Sequence, residues 1–111
     1  MIPRLTADFW VRAYLARLEQ AGIPAFVTAK GDATAGAVLV KVASLDGLAK
    51  AYQRSFDLTS DARVWLILTE GNERNVDAAI ARQRSFDPDL WVIEVEDRQG
   101  RSLLGEDGLS G

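Results

Sequence analysis

The chain contains no cysteine and no histidine. Without thiols there is no disulfide, no thiolate nucleophile and no sulfur-ligated zinc, so the fold rests on packing and hydrogen bonds. Without imidazole, the commonest general base near neutral pH and the commonest transition-metal ligand are both missing. Ser-His-Asp, Cys-His and H-E-x-x-H chemistries are excluded together. No G-x-x-x-x-G-K-[ST] or G-x-G-x-x-G motif opens a helix, so Lys30-Gly31-Asp32 and Gly36 read as turn formers and not as a phosphate cradle. Nothing approaches the ~20 apolar residues that span a bilayer, and Met1-Ile2-Pro3-Arg4 lacks the charged-then-apolar layout of a secretory signal. The expectation is a cytoplasmic protein with no membrane contact. Positive charge is in deficit, with 13 Lys and Arg against 16 Asp and Glu for a net charge of −3. Such a field repels phosphate backbones. Nucleic acid is disfavoured as a partner unless Arg12, Arg17, Arg74, Arg82 and Arg84 merge into one basic stripe.

What is present suits one globular core. A chain of 111 residues is long enough for one domain and too short for two, and 48% apolar with 26% charged residues is the balance of a chain that folds unaided. Over residues 6–22, Ala7, Val11, Tyr14, Leu15 and Leu18 recur at helical spacing, and Trp10 widens the stripe. Thr6 is placed to cap the first turn, Asp8 to meet the helix dipole and pair with Arg12, and Gly22 with Pro24 to stop the helix. Residues 25–30, 36–43 and 63–69 then switch to β-branched and aromatic runs. Residues 31–36 read as a hairpin connection and Asp46-Gly47 as a tighter one. Leu48, Tyr52 and Phe56 fit a helix face as well as one side of a strand, but a tight turn returns the chain along the strand it left, so 49–54 is assigned as a strand. Residues 55–62 read as a loop. Helical spacing resumes over 72–86 through Val76, Ala79, Ile80 and Gln83, capped by Asn72 and ended by Asp87-Pro88. Residues 90–96 form the last strand. Gln-Arg-Ser-Phe-Asp occurs at 53–57 and again at 83–87, but the flanks disagree and no repeat follows.

The region of densest chemistry is the last strand and its flanks. Alternation turns Trp91, Ile93 and Val95 to the core and leaves Val92, Glu94 and Glu96 on the other face. With Asp87 and Asp89 before the strand and Asp97 after it, five carboxylates are candidate oxygen ligands for Mg²⁺, Mn²⁺ or Ca²⁺. That alternative reading is a hard-metal-dependent hydrolase or nuclease-like enzyme, with Arg98 or Arg101 steadying an anionic substrate. The plainer reading is a solvated sheet face whose acids pair with Lys41, Arg54, Arg63 or Arg98. Trp65, Arg54 and Arg98 are candidate binding residues, and Trp65 beside Ile67 forms an interface patch if it points outward.

The element order resembles that of restriction-endonuclease-like nucleases, but the acid and acid-x-lysine pair of that fold are missing: the late strand offers Glu94-x-Glu96, and Val38 to Val42 carries no acid. A closer likeness lies elsewhere. The Trp10-bearing helix, the Gly36-Ala37-Val38-Leu39-Val40 strand, Leu45-Asp46-Gly47, Trp65, and above all Asp87-Pro88-Asp89-Leu90-Trp91-Val92-Ile93-Glu94-Val95-Glu96-Asp97 followed by Gly100-Arg101 resemble the alphaproteobacterial family called domain of unknown function 1491. The likeness covers nearly the whole chain, and since that family has no assigned activity it implies no functional residues. The expected architecture is a single α+β domain over residues 1–100, an antiparallel sheet of four to five strands with two helices packed on one face, in the order α-β-β-β-β-α-β. A flexible tail follows over 101–111. The core is assigned to Val11, Tyr14, Leu15, Leu18, Val38, Val40, Leu66, Leu68, Val76, Ile80, Ile93 and Val95. No cofactor is expected, and the expected role is a non-catalytic binding or regulatory module that meets a protein partner, or a second copy, through its sheet face.

Overall fold

A computed structural model describes residues 5–57, 62–106 and 109. The chain runs α1 (Ala7–Gln20), β1 (Ala25–Ala29), β2 (Val38–Ala43), β3 (Leu48–Asp57), β4 (Ala62–Asn72), α2 (Glu73–Phe86) and β5 (Trp91–Glu96). The α+β order and the five strands are as the sequence indicates. They form one sheet in the order β1-β5-β2-β3-β4. β3 reaches Asp57 and β4 begins at Ala62, so the loop expected over 55–62 shortens at both ends. Residues 58–61, the opening Met1 to Arg4, and tail positions 107, 108, 110 and 111 lie outside the described residues.

One strand pair departs from the antiparallel expectation. β2, β3 and β4 are joined antiparallel in succession, but β5 lies parallel to β2, with Val40 opposite Ile93 and Lys41 opposite Glu94. The reason is the crossover: α2 carries the chain back to the end where β4 began, so β5 runs in the direction of β4 and hence of β2. The hairpin expected across 31–36 is also corrected. β1 and β2 are split, because β5 inserts between them and pairs antiparallel with β1. The connection passes so close to the start of β5 that a Cβ on Gly31 would sit 2.1 Å from the Asp89 carbonyl oxygen, and one on Gly36 2.6 Å from it. Glycine at both positions serves this close approach. The Asp32 N–H donates to Asp89 O, and Trp91 Nε1 donates to Asp32 O at 2.7 Å.

The two helices lie on opposite faces of the sheet, not on one. Val38, Val40, Val42, Trp91, Ile93 and Val95 pack under α1 with Trp10, Tyr14 and Leu18. Leu39, Ala49, Ala51, Leu90 and Val92 pack under α2 with Val76 and Ile80. Both layers therefore close on the same central strands, which is why every residue of β2 is buried. Ala49 and Ala51 are small enough to let α2 approach closely, and each of its buried residues adds about 1.5–3 kcal/mol relative to exposure. Leu66, assigned to the core from sequence, is 54% exposed: it sits on edge strand β4 and is not among the residues packed under α2. Leu68 is partly buried against the α2 layer.

Loop backbone satisfies the open helix ends. Thr6 occupies the N-cap of α1, but its hydroxyl donates to Asp8 and caps nothing. Ala7 and Asp8 N–H groups instead donate to the Thr34 and Ala33 carbonyls. At the other end the Ile23 N–H donates to Leu18 O and the Gly22 N–H to Glu19 O, the double bond of a Schellman motif, which needs the positive φ of 74° that Gly22 supplies. Asn72 caps α2 through the Arg74 N–H, as its position suggested, and Gly47 O accepts from the Glu73 N–H. The described part of the tail is docked rather than free. Tyr14 donates to Ser102 O, Arg17 forms two bonds to Glu106, and Leu104 and Leu109 are buried in the α1 layer.

Candidate functional site

The least ordinary side chain is Lys41, the one charge in the run Val38-Leu39-Val40-Lys41-Val42 and only 4% exposed. It shares the face of Leu39, towards α2. Its ammonium lies 2.7 Å from Glu73 Oε2, 2.7 Å from Asp77 Oδ1 and 3.2 Å from Glu94 Oε1. Glu73 and Asp77 stand one turn apart on α2, and Glu94 is the β5 residue opposite Lys41. Three donors thus meet three acceptors. Burial pulls the ammonium towards the neutral amine, but hydrogen bonds to Asp77, Glu73 and Glu94 overcome it and raise the pKa above that of an ordinary lysine. A lysine so held stays charged at neutral pH, unsuited to act as nucleophile, base or Schiff-base former. Its work is to pin α2 to the sheet. The signal was in the sequence: lysine is almost never fully buried unless paired, and this one interrupts a strand buried on both sides.

The five candidate metal ligands do not converge. Glu94 is occupied by Lys41, and Glu96 lies two residues on along the same face. Asp97, 9% exposed, accepts from the Arg101 N–H at 2.7 Å and from its guanidinium at 2.9 and 3.1 Å. The Arg101 side chain holds its carboxyl below the usual aspartate range. Asp87 and Asp89 stand before β5, where Asp87 Oδ1 accepts from the Asp89 N–H. The strand itself separates the two ends, since residues 89 and 97 of an extended chain lie roughly 26 Å apart at ~3.3 Å per residue. Among the described residues no three acids are arranged to share a cation.

Arg54 and Trp65 are packed, not presented. The Trp10 ring stacks on Tyr14 at 4.9 Å and tilts against Trp65 at 5.4 Å. The Arg54 guanidinium carbon lies 5.3 Å from the Trp10 ring centre and 5.7 Å from that of Trp65. Trp65 Nε1 donates to Leu109 O. This stack closes α1 and the docked tail over β3 and β4. The five arginines of the basic-stripe reading are dispersed as well. Arg12 pairs with Asp8 and Arg17 with Glu106 on α1, whereas Arg74, Arg82 and Arg84 lie on α2 across the sheet. Arg84 is spent on the carbonyls of Leu90, Lys30 and Pro88, tying the end of α2 to both neighbouring segments.

Among the described residues two open surfaces bear on function. The first is β4, eleven residues long and last in the sheet. Val64 to Thr69 carries no charge, and Leu66 and Ile67, on opposite faces, are 54% and 49% exposed. A small hollow of about 290 Å³ lies beside them against Gln53 and Arg54. The second is a cleft of about 520 Å³ at the far end of the sheet, between the β2–β3 turn and residues 98–100. Arg98 is exposed at this cleft and makes no ion pair or side-chain hydrogen bond among the described residues. Sequence reasoning named Arg98 but not its surroundings, because the floor of the cleft comes from residues 42–50 and 70–71, far from residues 98–100 in the chain.

The comparisons agree with this architecture. The model of a protein family of unknown function, DUF1491, matches residues 5–105. The crystal structure of a DUF1491 family protein from Caulobacter crescentus is 41% identical, with a TM-score of 0.84 over 93% of this chain and 97% of that one. An NMR structure of a DUF1491 family protein from the same organism is 41% identical, with a TM-score of 0.79 over 92% and 94%. The solution structure of a protein from A. tumefaciens is 29% identical, with a TM-score of 0.72 over 85% and 86%. These relatives are bacterial. No curated protein matches the chain.

Proposed function

This chain belongs to the DUF1491 family, and on that premise we propose that it is a small non-catalytic binding module of the cytoplasm whose working surface is the open edge of β4. The observation that carries the reading is a long strand placed last in the sheet, with a charge-free stretch from Val64 to Thr69 in which Leu66 and Ile67 are half exposed on its two faces. An edge strand presents a row of unpaired N–H and C=O groups. Soluble proteins usually blunt such an edge with charge, proline or brevity. Between Val64 and Thr69 this strand has no charge and no proline. An added strand satisfies the backbone row, while alternate side chains give selectivity. A second copy is the simplest partner, because two identical edges laid antiparallel close on themselves about a two-fold axis.

The chemistry elsewhere supports a binding role over catalysis. Lys41 is saturated, Asp97 is clamped by Arg101, and Arg54 and Trp65 are engaged in packing. No helix among the described residues is long and apolar enough to cross a membrane. Light scattering on the full chain is the test. It is expected to return twice the 12.1 kDa of one chain, falling to one in Leu66→Lys and Ile67→Lys with the circular dichroism unchanged. A single-chain mass for the unsubstituted protein up to about 1 mM would overturn the reading.

A further inference from the structure

The cleft at the β2–β3 end carries an inference that does not rest on the β4 edge as a working surface. Its floor is one row across three strands, Val42 on β2, Lys50 on β3 and Glu70 on β4, all on the α1 face. Beyond β5 the chain turns through Arg98 and Gln99 to form the wall. That turn is fixed: the Asp97 N–H donates to Ala43 O, the Gly100 N–H donates to Asp97 O, and the Asp97 carboxylate is filled by Arg101. Gly100 takes a φ of 71°, and a Cβ there would meet open space, so its backbone faces the cleft without crowding it.

The charge arrangement follows from that turn. Because Asp97 binds Arg101, the neighbouring Arg98 is left with no carboxylate among the described residues. Lys50 stands on the floor, 3.6 Å from Glu70 and half exposed. Two cations and one carboxylate thus face a cleft with apolar Val42, Leu48 and Ala49, in a chain whose net charge is −3. A volume near 520 Å³ falls within the roughly 300–1,000 Å³ of small-molecule sites. A guanidinium is suited to bidentate capture of an oxyanion, and the backbone that carries this one is already held by the bonds of Asp97.

We infer that this cleft binds a small organic oxyanion, a carboxylate or phosphate monoester, with its charged group on Arg98 and Lys50 and its apolar body on Val42 and Leu48. Titration of the full-length, isotope-labelled chain with benzoate, phenyl phosphate and, as the charge-reversed control, hexylammonium tests it by amide chemical shifts. Saturable shifts with either anion, centred on Ser44, Gly71, Gln99 and Gly100, are expected. Whichever anion saturates at the lower concentration identifies the headgroup. Arg98→Ala should weaken that binding about tenfold or more and Lys50→Ala less, with the rest of the spectrum in place. The inference is overturned if neither anion saturates by about 20 mM, if R98A binds as well as the parent, or if hexylammonium produces the same shifts.

Discussion

On the α1 face the sheet is held by dry aromatic contact, Trp10 against Tyr14 and Trp65 with the tail's Leu104 and Leu109 tucked beside them. On the α2 face it is held by small residues, a few aliphatics and one buried ammonium among three carboxylates. The two layers share their central strands, so the difference lies in the helices. α1 buries Trp10, Val11, Tyr14 and Leu18, whereas α2 buries only Val76 and Ile80. A helix with little apolar surface to offer needs another anchor, and Lys41 supplies it. Direction and register come with that anchor, because hydrogen-bonded charges accept far fewer geometries than methyl groups do.

The comparison breaks most visibly at Trp10. Trp10→Ala should cost about 4 kcal/mol, read as a lowered urea midpoint, since the indole is buried and supports both Tyr14 and Trp65. A loss under about 1.5 kcal/mol would mean the aromatic layer is not what holds α1. Next comes Lys41→Met. It should cost about 2–3 kcal/mol, less than a fully buried pair because Glu73 and Asp77 remain partly hydrated. Amide exchange is expected to rise along α2 while α1 stays protected. The smallest effect is expected from Tyr14→Phe, about 1 kcal/mol for the lost bond to Ser102 O.

Alkaline pH sharpens the contrast. Lys41 has a pKa raised above the unfolded value, so its contribution is complete below about pH 10.4 and fades as pH climbs through the higher folded value. Tyr14 is also raised, by burial first and by Tyr52 second, so its contribution fades above about pH 10. Stability measured between about pH 9 and 12 should therefore fall for the parent. K41M and Y14F should each flatten part of that fall. Equal slopes in all three proteins would refute the assignment of these groups.

Much of the architecture was legible because it is local. Helical spacing through Val11, Tyr14 and Leu18, the Gly22 stop, the Asn72 cap and the Asp46-Gly47 turn are contained in short windows, and each element formed where its window placed it. What was not legible is pairing at long range. Nothing within 31–36 announces that β5 will enter between β1 and β2, although the two glycines pressed against Asp89 O are its trace. The assignment of both helices to one face assumed that Val92 shared a wet surface with Glu94. Leu39, Ala49 and Ala51, all apolar and all on that same face, were the contrary signal. The acidic candidates failed for a related reason: neighbours in sequence on a strand are carried apart by its extension, while Glu73, Asp77 and Glu94 were brought together by the helix crossover.

The reading of β4 as the working edge is tested most directly by hydrogen exchange of its amides between Val64 and Thr69, residue by residue, as the concentration of the full chain is raised. The account predicts that the amides not bonded to β3 gain protection with concentration and lose it in Ile67→Lys, while those bonded to β3 stay unchanged. Fast, concentration-independent exchange of the outer amides in both proteins would contradict it.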